Sequence, residues 1–143
     1  MSVLRRLIVA ATVTLLAVAS LPISAPTQSK DVAQKASETV EAIKSYTIEK
    51  KDEALAYAKK LGADVDAKIK ELEAQAARQT GEAKAKSQAL IKDLKAKRAQ
   101  ASQKASELSR ATRASWDKAK NAFADAYREV VAAYERAAAE LTK

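Results

Sequence analysis

Apolar residues recur at helical spacing through the chain between residues 31 and 143. Within one stretch they are separated alternately by four and three positions, at Ala58, Gly62, Val65, Ile69, Leu72 and Ala76. This is the heptad spacing of a coiled coil, in which one stripe of each helix faces a partner helix. The alternation at every second position that would indicate strands is missing. The pattern therefore predicts an all-α protein made of long amphipathic helices.

Toward the C-terminus the apolar residues follow a longer period and include most of the aromatic side chains. Positions repeat every eleven residues, at Leu108, Ala119, Val130 and Leu141. Eleven residues in three turns make a straight or slightly right-handed stripe. Four aromatic residues stand seven, four and seven positions apart on one broad face, namely Trp116, Phe123, Tyr127 and Tyr134. We expect this aromatic face to pack in a core, and contact with a lipid interface is the alternative use of such a face.

A turn near Gly81 would let the two long apolar stripes pack on each other. A register in which paired residue numbers add up to 163 sets Val40 against Phe123, Leu55 against Leu108, and Leu72 against Ile91. We therefore predict an antiparallel coiled-coil hairpin with helices over about residues 31–79 and 82–141. A continuous helix in a multimer and a three-helix arrangement are the alternatives. For the latter, Gly62 is one candidate break, and Ser115, as an N-cap before Trp116, is another.

The first thirty residues have the order of a signal peptide. Arg5 and Arg6 precede an uncharged apolar run over residues 7–21, and small and polar residues follow. We expect a signal helix over residues 1–19 with cleavage after Ala19, or after Ala25 as the alternative, and then a disordered linker over residues 20–30. The protein would be periplasmic or otherwise extracytoplasmic. If the apolar run is retained it would be a membrane anchor, although it is shorter than the ~20 residues of a spanning helix.

Composition removes most catalytic chemistry. The 143 residues include no Cys and no His, so the usual imidazole bases, thiolate nucleophiles and metal ligand sets are missing. The chain holds 34 Ala, which contribute little buried surface each. We expect a protein that is not an enzyme, with no cofactor, no metal and no small-molecule substrate.

Positive charge is concentrated in one block of the chain. Residues 84–113 hold nine basic and two acidic residues, within a formal net charge of +8 for the whole sequence. The basic residues are Lys84, Lys86, Lys92, Lys95, Lys97, Arg98, Lys104, Arg110 and Arg113. This basic block is either an ordinary solvated surface or a surface for an anionic partner. Anionic lipid headgroups or envelope polymers suit an exported protein better than nucleic acid, because no aromatic residues interleave with the bases.

Three strings of residues resemble a known group of proteins. From about residue 48 to residue 135 the chain is similar to small bacterial all-helical coiled-coil proteins labelled stress-response proteins. The strings are Lys68-Ile69-Lys70-Glu71-Leu72-Glu73-Ala74, Leu94-Lys95-Ala96-Lys97-Arg98-Ala99-Gln100-Ala101 and Ser115-Trp116-Asp117-Lys118-Ala119-Lys120 with Phe123. Ala119 stands where the group usually has Leu, and the group tends to be acidic and not exported. The resemblance implies no active site. A looser likeness, in period and amphipathicity, is to apolipoprotein-like and desiccation-type helix proteins.

These observations predict a non-catalytic exported coiled-coil protein of the bacterial cell envelope. It is expected to have a stress-related role and to act by self-association or by binding a protein partner. A peripheral lipid-binding helix protein is the first alternative, and a membrane-anchored accessory subunit of a larger assembly is the second.

Overall fold

A computed structural model describes the backbone from residue 25 to residue 143 and the side chains from residue 31. This part of the chain consists of helices and short connections, which confirms the predicted all-α class. The elements are α1 (Ala25–Ser45), a 3-10 turn (Ile48–Lys50), α2 (Lys51–Ala77), α3 (Gly81–Arg110) and α4 (Trp116–Leu141). The predicted signal helix over residues 1–19 and its cleavage after Ala19 lie outside the described residues.

The four helices form a bundle in which consecutive helices are antiparallel and α4 closes the ring against α1. Polar contacts show these directions. Glu73 of α2 pairs with Lys95 of α3, and Asp93 of α3 pairs with Arg136 of α4. At the opposite end, Lys120 near the start of α4 donates to the backbone at the end of α1. Every helix thus has two principal neighbours, as in an up-and-down four-helix bundle.

The core is uneven, because the buried aromatic side chains of the described residues all come from α4. Phe123, Tyr127, Val130 and Tyr134 are almost fully buried on one face of α4. The buried face of α2 is the heptad stripe of the sequence, which includes Ala54, Ala58, Leu61, Gly62, Val65, Ile69, Leu72 and Ala76. Gly62 on α2 lies beside the Tyr127 hydroxyl of α4, so the missing side chain leaves room for that group.

The predicted pair of long helices is not confirmed, because each is divided. The arm expected over about residues 31–79 breaks between Ser45 and Lys51, and the arm expected over about residues 82–141 breaks between Arg110 and Trp116. At the first break the apolar stripe is interrupted, since polar Thr47 and Lys50 fall between buried Ile43 and buried Ala54. Folding at these two places lets one chain bury stripes that two straight arms would leave open on one side.

Three further expectations concern the ends of helices. Gly62 does not break a helix and lies inside α2. The chain instead turns between Ala77 and Gly81, where Gly81 has a left-handed φ of 61° that favours glycine. The break before Trp116 is present, but the Ser115 hydroxyl accepts from the Thr112 N–H rather than capping α4. The linker expected over residues 20–30 is corrected from Ala25 onward, where α1 begins, because the first turn of a helix tolerates Pro26.

One register relates the N-terminal pair of helices to the C-terminal pair. The polar contacts across the α1/α4 and α2/α3 seams join residues whose numbers add up to 162–168. Tyr46 meets Trp116, Lys51 meets Ala111, and Asp66 meets Arg98. The α1/α4 and α2/α3 seams therefore share one pairing register, although the breaks in the two arms separate the seams in space.

Candidate functional site

The basic block lies on α3 and the connection after it, and most of its charges are paired inside the bundle. Lys86 and Lys97 contact Glu140 and Glu129 of α4 at 3.4 and 3.2 Å. On the other side, Lys95 and Arg98 contact Glu73 and Asp66 of α2, both at 2.9 Å. Arg113 pairs with Glu49, and Lys104 pairs with Glu107 of its own helix at 3.2 Å. No ion pair is found in the described part of the chain for Lys84, Lys92 or Arg110.

This pairing changes what the basic block does. The residues do not form one open cationic face, because two groups of them point toward acidic residues on opposite neighbours. In one further pair the charges are exchanged, because acidic Asp93 of α3 contacts basic Arg136 of α4 at 3.3 Å. Exposed ion pairs contribute only about 0–1 kcal/mol each. Their main effect here is to select α2 and α4 as the neighbours of α3 and to disfavour shifted registers.

One of these pairs is built over Gly62. The guanidinium of Arg98 crosses α2 where Gly62 has no side chain and reaches Asp66 with two hydrogen bonds of 2.9 and 3.3 Å. A Cβ at residue 62 would lie 3.2 Å from Arg98 Cζ and closer still to Nη2, so an alanine would displace the guanidinium. The Arg98 side chain is 18% exposed. We name this arrangement of Gly62, Arg98 and Asp66 the glycine notch.

Tyr127 of α4 closes the inner side of the glycine notch. Its hydroxyl would lie 3.6 Å from a Cβ at residue 62, so three helices meet at this point. Burial raises the pKa of the Tyr127 phenol, Arg98 opposes that shift, and Asp66 adds to it. The phenol is therefore neutral over the ordinary pH range and acts as a packing group with a polar edge.

The tryptophan string of the sequence fastens α4 to the end of α1. The indole Nε1 of Trp116 donates to the backbone carbonyl of Tyr46 at 2.9 Å. Lys120 Nζ donates to the carbonyls of Lys44 and Tyr46 at 2.9 and 3.0 Å, and it lies 5.8 Å from the centre of the indole ring. The last carbonyl groups of a helix have no N–H donor within that helix, so they accept hydrogen bonds from donors elsewhere. Trp116 and Lys120 thus cap α1.

A second lysine caps the end of α3 in the same way. Lys51, the first residue of α2, donates from Nζ to the carbonyl of Ala111 at 3.1 Å. Ala111 is the C-cap residue of α3. The arrangement is reciprocal, because α2 caps α3 and α4 caps α1. A positive charge at a helix C-terminus also interacts favourably with the helix dipole.

The aromatic face lies inside the protein. Trp116, Phe123, Tyr127 and Tyr134 all have exposures of 3% or less. The rings of Phe123 and Tyr127 are 4.8 Å apart, at a tilt of 50°. Burial also raises the pKa of Tyr134. A lipid surface could reach these rings only if α4 separated from its neighbours.

Two features were not singled out in the sequence. Tyr46 and Tyr57 stack at 5.9 Å beside the connection between α1 and α2, and Tyr57 is 44% exposed. Ser87 is fully buried in α3, and its hydroxyl has no hydrogen-bond partner. Heptad position predicts that residue 87 faces the core, but nothing in the local sequence signals an unpaired hydroxyl there.

Ligand chemistry is sparse in the part of the chain that the structure describes. Among those residues no cluster of three or more His, Cys, Asp or Glu side chains is placed to hold a metal ion. None of the described helices combines the length and apolarity that crossing a bilayer requires. Comparison with known protein families, with curated proteins and with solved structures finds no match to this chain.

Proposed function

We propose that this chain is a non-catalytic helical protein of the bacterial cell envelope that acts by self-association. Its work would lie in forming and presenting a stable helical body, with a stress-related role as the setting that the resemblance of the tryptophan string suggests. The apolar run over residues 7–21, after Arg5 and Arg6, supports export.

The observation that best supports this proposal is that the aromatic face and the basic block, which lipid binding would require, are already engaged inside the bundle. The four aromatic residues of α4 are buried, and six of the nine cations of the basic block already have acidic partners. Interfacial helices instead keep their aromatic residues and their cations available to headgroups. The bundle therefore favours contacts between protein surfaces over contacts with a bilayer.

The arms are divided in the closed bundle, but a straightened form of the chain would also favour self-association. The antiparallel hairpin turning near Gly81, with arms of about 31–79 and 82–141, would have one open apolar side along its whole length. A second copy of the chain is the natural cover for such a side.

The experiment uses the full chain with a C-terminal tag, expressed in a bacterium and separated into periplasm, membranes and cytoplasm. We expect periplasmic protein whose intact mass begins near Ser20, and a dimer or higher oligomer in sedimentation at micromolar concentrations. Retained Met1 in the membrane fraction would support the anchored accessory subunit instead. A species that stays monomeric at every concentration would contradict the proposal.

Vesicles distinguish the peripheral lipid-binding alternative. The fluorescence of Trp116 should be blue-shifted in buffer and should not change when vesicles of anionic phospholipid are added, because the indole is already buried. Emission that shifts only on addition of vesicles, and returns with salt, would favour lipid binding over self-association.

A further inference from the structure

The two breaks in the long arms lie side by side. One connection contains Tyr46 and the turn Ile48–Lys50, and the other runs over residues 111–115. Three contacts join them directly: Trp116 to the Tyr46 carbonyl, Lys51 to the Ala111 carbonyl, and Arg113 to Glu49. The two connections thus lie in contact at one end of the bundle. We name this pair of connections, residues 46–50 and 111–115, the fold line.

Neither connection contains a residue that forbids a helix. Residues 46–50 and 111–115 include no Gly and no Pro, and no residue in them has a positive φ. The turn before α3 differs, because Gly81 adopts a left-handed conformation there. The predicted antiparallel hairpin runs as continuous helix through both connections. Straightening them requires rotation about ordinary backbone dihedrals and no strained conformation.

The common register makes joint straightening compatible with two of the seams. Contacts in the α1/α4 and α2/α3 seams connect residues whose numbers add up to similar totals, so both pairs of helices can persist while the fold line opens. The product is one long hairpin with arms over residues 25–77 and 81–141. At ~1.5 Å per residue these arms are about 80–90 Å long.

Opening would expose the face on which the two helix pairs pack. Phe123 of α4 and Leu94 and Leu108 of α3 are fully buried in the closed bundle. The α3/α4 seam also carries three ion pairs, Lys86–Glu140, Asp93–Arg136 and Lys97–Glu129. An isolated long hairpin would lose all of these contacts, so it needs a cover of identical shape and charge.

We propose that a second copy of this chain supplies that cover by reciprocal exchange. In the exchanged dimer, α1 and α4 of each copy pack on α2 and α3 of the other, so that the α1/α2 and α3/α4 seams are formed again between copies while the α1/α4 and α2/α3 seams stay within each copy. Only the two connections change conformation. The closed monomer and the exchanged dimer then differ little in contact energy, and concentration and the helical preference of the connections decide between them.

This inference rests on the proposed self-association and specifies its mode. The first test uses single cysteine variants, which is straightforward because the chain has no native cysteine. Lys97→Cys protein and Glu129→Cys protein are mixed, refolded together at high concentration, and treated with a short bis-maleimide. These positions face each other across the α3/α4 seam, with 3.2 Å between the native charged atoms. We expect cross-linked heterodimers.

A matched pair tests the seam that stays within one copy. Asp66→Cys and Arg98→Cys proteins, mixed in the same way, place the cysteines across the α2/α3 seam. We expect at least tenfold fewer heterodimers from this pair. Equal yields from the two pairs would overturn the exchange. Dimers in sedimentation without Lys97/Glu129 cross-links would overturn the exchange but leave self-association standing, whereas a chain that never dimerises contradicts both.

The second test changes the fold line. Thr47 has φ −83° and ψ 170°, close to what proline adopts, so Thr47→Pro should fold as a monomer but cannot continue a helix through residue 47. We expect its dimer association constant to fall about a hundredfold, and Thr47→Ala, the matched control that favours helix, to dimerise at least as well as the wild type. Dimerisation of Thr47→Pro at the wild-type level would overturn the proposal. If that variant unfolds, the cross-linking result decides alone.

Discussion

A double-mutant cycle at the glycine notch tests the role of Gly62. In an ordinary helix interior, Gly→Ala stabilises a protein by about 0.5–1 kcal/mol. At residue 62 the added methyl would occupy the space of the Arg98 guanidinium and displace it from Asp66. We therefore expect Gly62→Ala to stabilise the Arg98→Ala variant by about 1 kcal/mol and to be neutral or destabilising in the wild type.

The expected coupling follows from the exposure of the ion pair. Arg98 is 18% exposed but Asp66 is 54% exposed, so the charge-assisted hydrogen bonds are worth about 1–2 kcal/mol, below the range of a buried pair. The coupling energy of the cycle should have that size. Urea unfolding, followed by circular dichroism, gives the free energy of unfolding of all four proteins. Unchanged m-values would show that the coupling does not arise from changes in the unfolded state.

Gly81→Ala is the matched control for this cycle. At Gly81 the difficulty is the left-handed backbone and not space, because nothing lies within 4 Å of an added Cβ. The substitution should cost about 1–2 kcal/mol equally with and without Arg98. If Gly62→Ala stabilises the wild type by as much as it stabilises Arg98→Ala, the notch has no energetic role and the reasoning is wrong.

Three other predictions concern single groups. Ser87→Ala should raise the free energy of unfolding by about 1 kcal/mol, because it removes an unpaired buried hydroxyl. A lower free energy of unfolding in urea would show that the hydroxyl is hydrogen-bonded. Trp116→Phe should lower the free energy of unfolding by about 1–2 kcal/mol, because the hydrogen bond from the indole to the Tyr46 carbonyl is lost. An unchanged melting temperature would contradict the capping role of Trp116. Burial raises the pKa of Tyr127 and Tyr134, so the folded state holds their protons above pH 10 while the unfolded chain releases them, and stability should fall as pH rises past 10. Replacing both by Phe should reduce that alkaline loss in pH-dependent melting, and an alkaline loss equal to that of the wild type would refute the assignment.

The helical class and the inward stripes could be predicted because they depend on local spacing. The stripe from Ala58 to Ala76 is buried on α2, and the face that runs from Trp116 to Tyr134 is buried on α4. Periodicity fixes which side of a helix faces inward whatever covers it. It does not say whether the cover is the same chain or another one.

The notch could not be predicted because its cause is distant in sequence, and of the two breaks only the one before Trp116 was indicated, by Ser115. Residues 46–50 and 111–115 have no Gly or Pro, so neither connection carries the residues that usually end a helix. Gly62 suggested a turn, but its partner Arg98 is on another helix. The basic block likewise appeared unneutralised, because acidic partners such as Glu73 and Glu129 come from α2 and α4.

The reciprocal lysine caps have a consequence for cooperativity. Lys51 completes the end of α3, and Lys120 completes the end of α1, so each half of the sequence finishes a helix of the other. A half that folded alone would leave carbonyl groups at its helix end without these donors. Partial unfolding that separates the halves therefore weakens helix ends in both at once. This arrangement favours a single all-or-none transition over stepwise loss of helices.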